Sequence, residues 1–282
     1  MIHETIEIKL DYEQYGLDKD VAYATMTTYI HEMYKDAQDV FKRPLIIICP
    51  GGGYHHHSPR EGEALAIKML ELGYNAVILR YSLAPNLYPT QLFEAAYAMK
   101  YVKDKAAEWD TDPEKIIIGG FSAGGHVAAS LGTMWNKEVL KLFLQNELMC
   151  APEYIKPAGM FLGYPVITSG VHAHRPSFER LLGDKYDEYI EAVSLEKQVD
   201  KDTPKTFIWH TFEDATVPLE NSLLLVNALR KEDIPFEYHV FPKGRHGLGL
   251  GTKETASKGL NHYQPEVYVW TDMFKTWVDN NI

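Results

Sequence analysis

A doubly wound α/β fold, with a mostly parallel sheet and helices on both faces, is what the sequence predicts, and three observations predict it. Short continuous apolar runs recur along the chain, as strands covered on both faces require. Stretches with apolar residues at helical spacing separate those runs. No internal repeat, low-complexity tract or Ser/Gly-rich linker interrupts the alternation, so all 282 residues are read as one domain, 1–282.

Each element follows from its pattern. Ile6, Ile8 and Leu10 alternate with charged residues and predict a half-buried strand; residues 24–30 alternate less cleanly and predict a second. Both read as antiparallel and peripheral. The runs 45–49, 76–79, 116–118, 159–162 and 206–209 predict the parallel sheet, and Phe236–Phe241 adds a strand that alternates. Residues 61–72 place Leu65, Met69 and Leu72 on one helical stripe, and residues 91–109 do the same with Leu92, Ala95, Ala96, Met99 and Val102. Residues 123–134, 219–231 and 265–278 read as further helices. Segment 169–202, rich in charge and histidine, fits the alternation poorly. It reads as a small helical cover insertion, because chain inserted after a strand's carboxyl end lies over the ligand crevice of such folds.

Composition excludes several classes. Hydrophobic residues make up 45% and charged residues 24%, which is globular rather than disordered or fibrous. Lys and Arg total 28 against 39 Asp and Glu, a net charge of −11 that disfavours nucleic-acid phosphates and anionic membranes as partners. Cys49 and Cys150 are too few for a disulfide framework and lack zinc-site spacing, so a reduced compartment is expected. The first seven residues are acidic and alternating, without the basic and apolar regions of a signal peptide. No apolar run approaches the roughly 18 residues that span a bilayer. A cytoplasmic location is the resulting expectation.

The sharpest local signal is Gly120-Phe121-Ser122-Ala123-Gly124, between a strand and a helix. A serine on such a tight turn needs strained backbone angles and small residues two positions to either side, where the chain folds back on itself. In return its hydroxyl stands at a helix N-terminus, where free N–H groups favour developing negative charge. Pro50-Gly51-Gly52-Gly53-Tyr54 follows the buried run 45–49, and its glycines allow backbone N–H groups to face a substrate oxygen. In folds of this kind the acid and then the histidine come later in the chain. Among 12 histidines, His246 lies in a Gly-flanked loop directly after a strand, whereas His239 lies within that strand. For the acid, either Glu213 or Asp214 could serve, both following the run 206–209; Asp214 is preferred.

This combination resembles the α/β-hydrolase superfamily, and more narrowly its bacterial acetyl esterase/lipase branch, often found beside carbohydrate-degrading enzymes. The resemblance implies Ser122 as nucleophile, His246 as base, Asp214 as orienting acid, and Gly52, Gly53 and Ala123 as oxyanion donors. Hormone-sensitive-lipase-like members carry His before the glycines and Asp before the nucleophile. Here those places hold Pro50 and Phe121, which favours the carbohydrate-esterase-like group, as does Tyr81-Ser82-Leu83-Ala84-Pro85. The implied reaction is hydrolysis of short-chain acyl esters, with acetylated carbohydrates as one substrate class. Amide or peptide hydrolysis, arylformamidase-like or prolyl-oligopeptidase-like, is the alternative. The expected partner is a small-molecule ester; the reading leaves room for a homodimer and calls for no cofactor or metal.

Two expectations concern the pocket wall. Tyr54 and His55, just past the glycines, are read as substrate-binding residues. His55, His56 and His57 are consecutive and point different ways, so they do not suggest a shared metal; His172 and His174 read as surface or pocket-lining. The aromatic residues include five Trp, which suit either a core or a sugar-stacking platform.

Overall fold

The computed structural model of the chain describes residues 1–15, 23–32 and 41–282. Its strands are β1 (Thr5–Glu7), β2 (Thr25–Tyr29), β3 (Arg43–Cys49), β4 (Asn75–Arg80), β5 (Thr111–Phe121), β6 (Gly159–Gly163), β7 (Thr206–Thr211) and β8 (Phe236–Phe241). They form one sheet in the order β1-β2-β4-β3-β5-β6-β7-β8, antiparallel at β1/β2 and β2/β4 and parallel from β4 onward.

The continuous apolar runs have a simple cause. Strand side chains alternate between faces, and both faces of this sheet are covered. In β3, Leu45 and Ile47 enter one core while Ile46 and Ile48 enter the other, all at 1% exposure or less. Removing such a side chain from water contributes roughly 1.5–3 kcal/mol.

The helices are α1 (Glu63–Glu71), α2 (Thr90–Lys105), α3 (Ala123–Met134), α4 (Glu138–Phe143), α5 (Arg175–Leu182), α6 (Tyr186–Tyr189), α7 (Glu220–Lys231) and α8 (Trp270–Asn281). Side chains of α2, α3 and α7 fill the first core, which is mainly aliphatic. Those of α1 and α8 fill the second, where Phe161, Trp209 and Trp270 stack, with ring centroids 5.0 and 5.7 Å apart. All five tryptophans are at least 95% buried, so none offers a sugar platform.

Two elements depart from expectation. Strand β2 is buried along its whole length rather than half-buried. Its threonines tolerate this because their hydroxyls have partners: Arg80 Nη1 donates to Thr27 Oγ1 at 2.8 Å, and the Glu4 amide donates to Thr28 Oγ1 at 3.0 Å. Helix α4 has no counterpart in the sequence reading. Segment 169–202 contains α5, α6 and a short turn at Leu195–Lys197.

Topology puts the candidate residues together. The chain runs from β3 outward to β4 and then returns to β5 on the other side of β3, so the order reverses between β3 and β5. Connections leave in opposite directions there, which opens a crevice at the carboxyl ends. The glycine loop follows β3 and the Ser122 turn follows β5, side by side across that crevice.

Candidate active site

Ser122 caps α3 with φ 54° and ψ −122°, a left-handed backbone that costs a non-glycine residue about 1–3 kcal/mol. The flanking glycines make the turn sterically possible. A Cβ on Gly120 would lie 2.2 Å from the Gly124 carbonyl oxygen, and one on Gly124 would lie 2.0 Å from the Cys49 carbonyl oxygen. Ala123 opens the helix, so its N–H is among those with no intrahelical acceptor.

The structure brings the other two polar groups to this hydroxyl. Ser122 Oγ and His246 Nε2 are 2.7 Å apart, and His246 Nδ1 is 2.6 Å from Asp214 Oδ2. Asp214 follows β7 and accepts the amides of Thr216 and Val217 on its second oxygen, at 2.9 and 3.0 Å. Those bonds fix the carboxylate plane. Burial works to raise the Asp214 pKa, but hydrogen bonds with His210 and His246 outweigh it and hold the carboxyl well below its ordinary range. His246 rides on a loop with left-handed glycines at Gly244 (φ 129°) and Gly247 (φ 81°). Glu213 does not meet the imidazole; its Oε2 accepts the Gly244 amide at 3.2 Å and so anchors the histidine loop.

The glycine loop turns through Gly52 (φ 129°) and Gly53 (φ 60°), which both line the cleft beside Ser122. The next two residues differ from expectation. Tyr54 is 1% exposed and turns inward, its hydroxyl donating to His126 Nδ1 at 2.7 Å. His55 is exposed and points away, and His56 lines the cleft instead. The cause is the turn itself: the amides of His55 and His56 both reach back to the Gly52 carbonyl, which rotates successive side chains out of line.

Four residues that the sequence did not single out support the site. Glu61 Oε2 accepts the Gly51 amide at 2.8 Å and its Oε1 accepts the Tyr164 hydroxyl at 2.7 Å. Tyr164 in turn accepts the Gly249 amide, so one buried carboxylate ties the glycine loop toward the histidine loop. Burial pushes the Glu61 carboxyl pKa up, against the pull of these donors. His210, fully buried in β7, has Nε2 3.3 Å from Asp214 Oδ2 and 3.1 Å from the Val217 carbonyl. Two acceptors on one nitrogen assign it the proton. His126 joins Tyr54 to the Val193 carbonyl at 2.8 Å, and burial lowers its pKa to about 4. The cleft over these groups has a volume of about 530 Å³, and its lip includes His174 and Arg180 from segment 169–202. Among the described residues, no three His, Cys, Asp or Glu side chains are grouped to hold a metal ion, and no helix is long and apolar enough to cross a membrane.

A doubly wound sheet with a serine on the turn after β5 and a histidine after the last strand has the α/β-hydrolase fold. Residues 31–229 match the family described as BD-FAE, and the chain belongs to that family. It is 39% identical over 225 residues to endo-1,4-beta-xylanase B of Butyrivibrio fibrisolvens, covering 77% of this chain and 34% of that protein. It is 27% identical over 214 residues to an acetylxylan esterase of Xylanibacter ruminicola, covering 73% and 41% respectively. The chain thus spans well under half the length of either relative. Among solved structures, an acetyl ester-xyloside bifunctional hydrolase from Caldicellulosiruptor lactoaceticus superposes with a TM-score of 0.83 at 32% identity, covering 98% of this chain and 96% of that one.

Proposed function

We propose that the chain is a serine carboxylic-ester hydrolase that cleaves short-chain acyl esters, acetylated carbohydrates among them, through an acyl-enzyme. The observation that carries this reading is the unbroken hydrogen-bond line from Ser122 through His246 to Asp214, at 2.7 and 2.6 Å. The names of the similar acetylxylan esterase and acetyl ester-xyloside hydrolase support the choice of acetyl esters.

In this mechanism the Ser122 hydroxyl oxygen attacks the ester carbonyl while its proton passes to His246 Nε2. Asp214 holds the ring in the tautomer that has Nδ1–H and stabilises the imidazolium. N–H groups of Gly52, Gly53 and Ala123 take the tetrahedral oxyanion; losing one such donor typically costs roughly 3–4 kcal/mol of transition-state stabilisation. His246 returns the proton to the leaving alkoxide, and the alcohol departs. Water then attacks the acyl-enzyme with the same histidine as base, releasing the acid and restoring the serine.

The test is p-nitrophenyl acetate cleavage and acetate release from acetylated xylo-oligosaccharides, with Ser122→Ala as control. Turnover should fall on the order of 10⁵- to 10⁶-fold in the variant, and a fluorophosphonate probe should label only the wild type. Equal rates for the two proteins would end the reading.

A further inference from the structure

Three arginines gather at the cleft over Ser122 although the protein carries a net charge of −11. Arg60, Arg180 and Arg245, from three distant segments, all line it. The carboxylates nearby are already engaged. Glu61 accepts the Gly51 amide and the Tyr164 hydroxyl, Glu213 accepts the Gly244 amide, and Asp214 accepts from His246. Among the described residues none of the three guanidinium groups forms an ion pair with a carboxylate, whereas Arg230 on the surface meets Asp233 at 2.6 Å. Arg180 donates to the Gly53 carbonyl at 3.0 Å, and Arg60 Nε is buried without a partner.

Two histidines face the same arginines. Burial lowers the His262 pKa to about 4, with Arg60, Arg245 and His246 acting in the same direction. Burial likewise lowers the pKa of His174, helped by His246 and Arg180. The arginines thus stand close enough to both rings to disfavour a further positive charge there. A buried guanidinium nitrogen with no acceptor is costly, and a planar fork matches a carboxylate in both shape and charge.

We propose that the cleft selects esters that carry a second, ionised carboxylate, with Arg60 and Arg245 forming its subsite beside His246. This rests on the ester-hydrolase reading and narrows its substrate class. The carboxylate is a recognition group and takes no part in bond making; pairing with the two guanidinium groups fixes the substrate in the cleft.

The experiment compares p-acetoxybenzoate with its neutral isostere p-acetoxybenzamide, each normalised to its hydroxide-catalysed rate. kcat/KM should favour the carboxylate by about tenfold or more, the strength of a charge-assisted hydrogen bond, and the preference should shrink as ionic strength rises. Arg245→Gln, at an exposed position, and Arg60→Gln should each reduce that ratio severalfold. Calorimetry adds a side-independent arm: benzoate should bind the wild type more tightly than benzamide and lose that advantage in the double variant. If p-nitrophenyl acetate is cleaved while the two matched esters react alike at low salt, the inference is overturned and the esterase reading stands. If p-nitrophenyl acetate is not cleaved, the esterase reading fails, and Arg-dependent benzoate binding alone then decides the subsite.

Discussion

The turn around Ser122 and the glycine loop at 50–58 both leave parallel strands, both use left-handed backbone, and both face one crevice. They are built in opposite ways. The serine turn depends on two glycines of its own, since a Cβ on Gly120 would collide with the Gly124 backbone and one on Gly124 with the end of β3 at Cys49. The glycine loop is held from outside. Glu61 bonds the Gly51 amide, Arg180 the Gly53 carbonyl, and the Tyr81 hydroxyl the Pro50 carbonyl at 2.8 Å, while His126 holds the Tyr54 side chain. A shape enforced by local sterics is written in the local sequence. A shape enforced by partners remote in the chain is not.

That contrast can be broken at either end. The largest effect should come from Gly124→Ala, whose Cβ would meet the Cys49 carbonyl oxygen at 2.0 Å. Two backbones must then part, and a loss of about 4 kcal/mol or more, seen as a fall in Tm of about 10 °C, is expected together with loss of esterase activity. A melting curve like that of the wild type would show that the turn has room for a side chain at this position. Glu61→Gln attacks the remote tether instead. Glutamine offers one acceptor oxygen for the two donors that Glu61 now satisfies. kcat on p-nitrophenyl acetate should drop about 10- to 100-fold while Tm moves little; an unchanged kcat would remove Glu61 from the positioning role.

His210→Asn sharpens the comparison on the acid side. Asp214 has a depressed folded-state pKa, so its contribution to stability is present above the ordinary carboxylate range and lost as pH falls through the folded value. Without the His210 donor the carboxyl is held ionised less strongly. Acid unfolding, followed by circular dichroism, should therefore begin at a higher pH, with about tenfold lower kcat; coincident acid transitions would count against the His210 contact. The smallest effect is expected at Glu94, which accepts the Ser82 amide at 2.7 Å and so supports the shelf where Ala84 bonds the Tyr54 carbonyl. Burial raises the Glu94 pKa from 4.5 to about 7 despite its hydrogen bonds to Ser82 and Tyr12. Its contribution is then fully present below about 4.5 and lost as pH rises through about 7. Tm should decline across that window in the wild type and less steeply in Glu94→Gln.

Much of the architecture was legible because burial on both sheet faces leaves a plain mark, a run such as 45–49 with no polar residue. The geometry at Ser122, His246 and Asp214 was legible for a related reason: each stands within a few residues of the end of a strand. Tyr54 and His55 were misread because their directions depend on the turn at Gly52 and on His126, which lies 72 positions away from Tyr54. His210 did leave a signal, a histidine inside an otherwise buried strand four residues before Asp214. A polar ring there must find partners. Glu61 left none, since an acid after Pro59 and Arg60 reads as solvated surface. Strand β2 was underestimated because threonines count as polar until their hydroxyls are seen to be bonded.

The burial of every indole has a practical corollary for spectroscopy. Trp209 packs edge-on against Tyr164 at 4.9 Å, and Tyr164 packs against the His246 ring at 5.0 Å, so one fluorophore sits two rings from the cleft imidazole inside an apolar stack. Intrinsic emission will thus be blue-shifted in the native protein and will move to longer wavelength chiefly when the stack comes apart. It reports denaturation, and occupancy of the cleft must be followed by another signal.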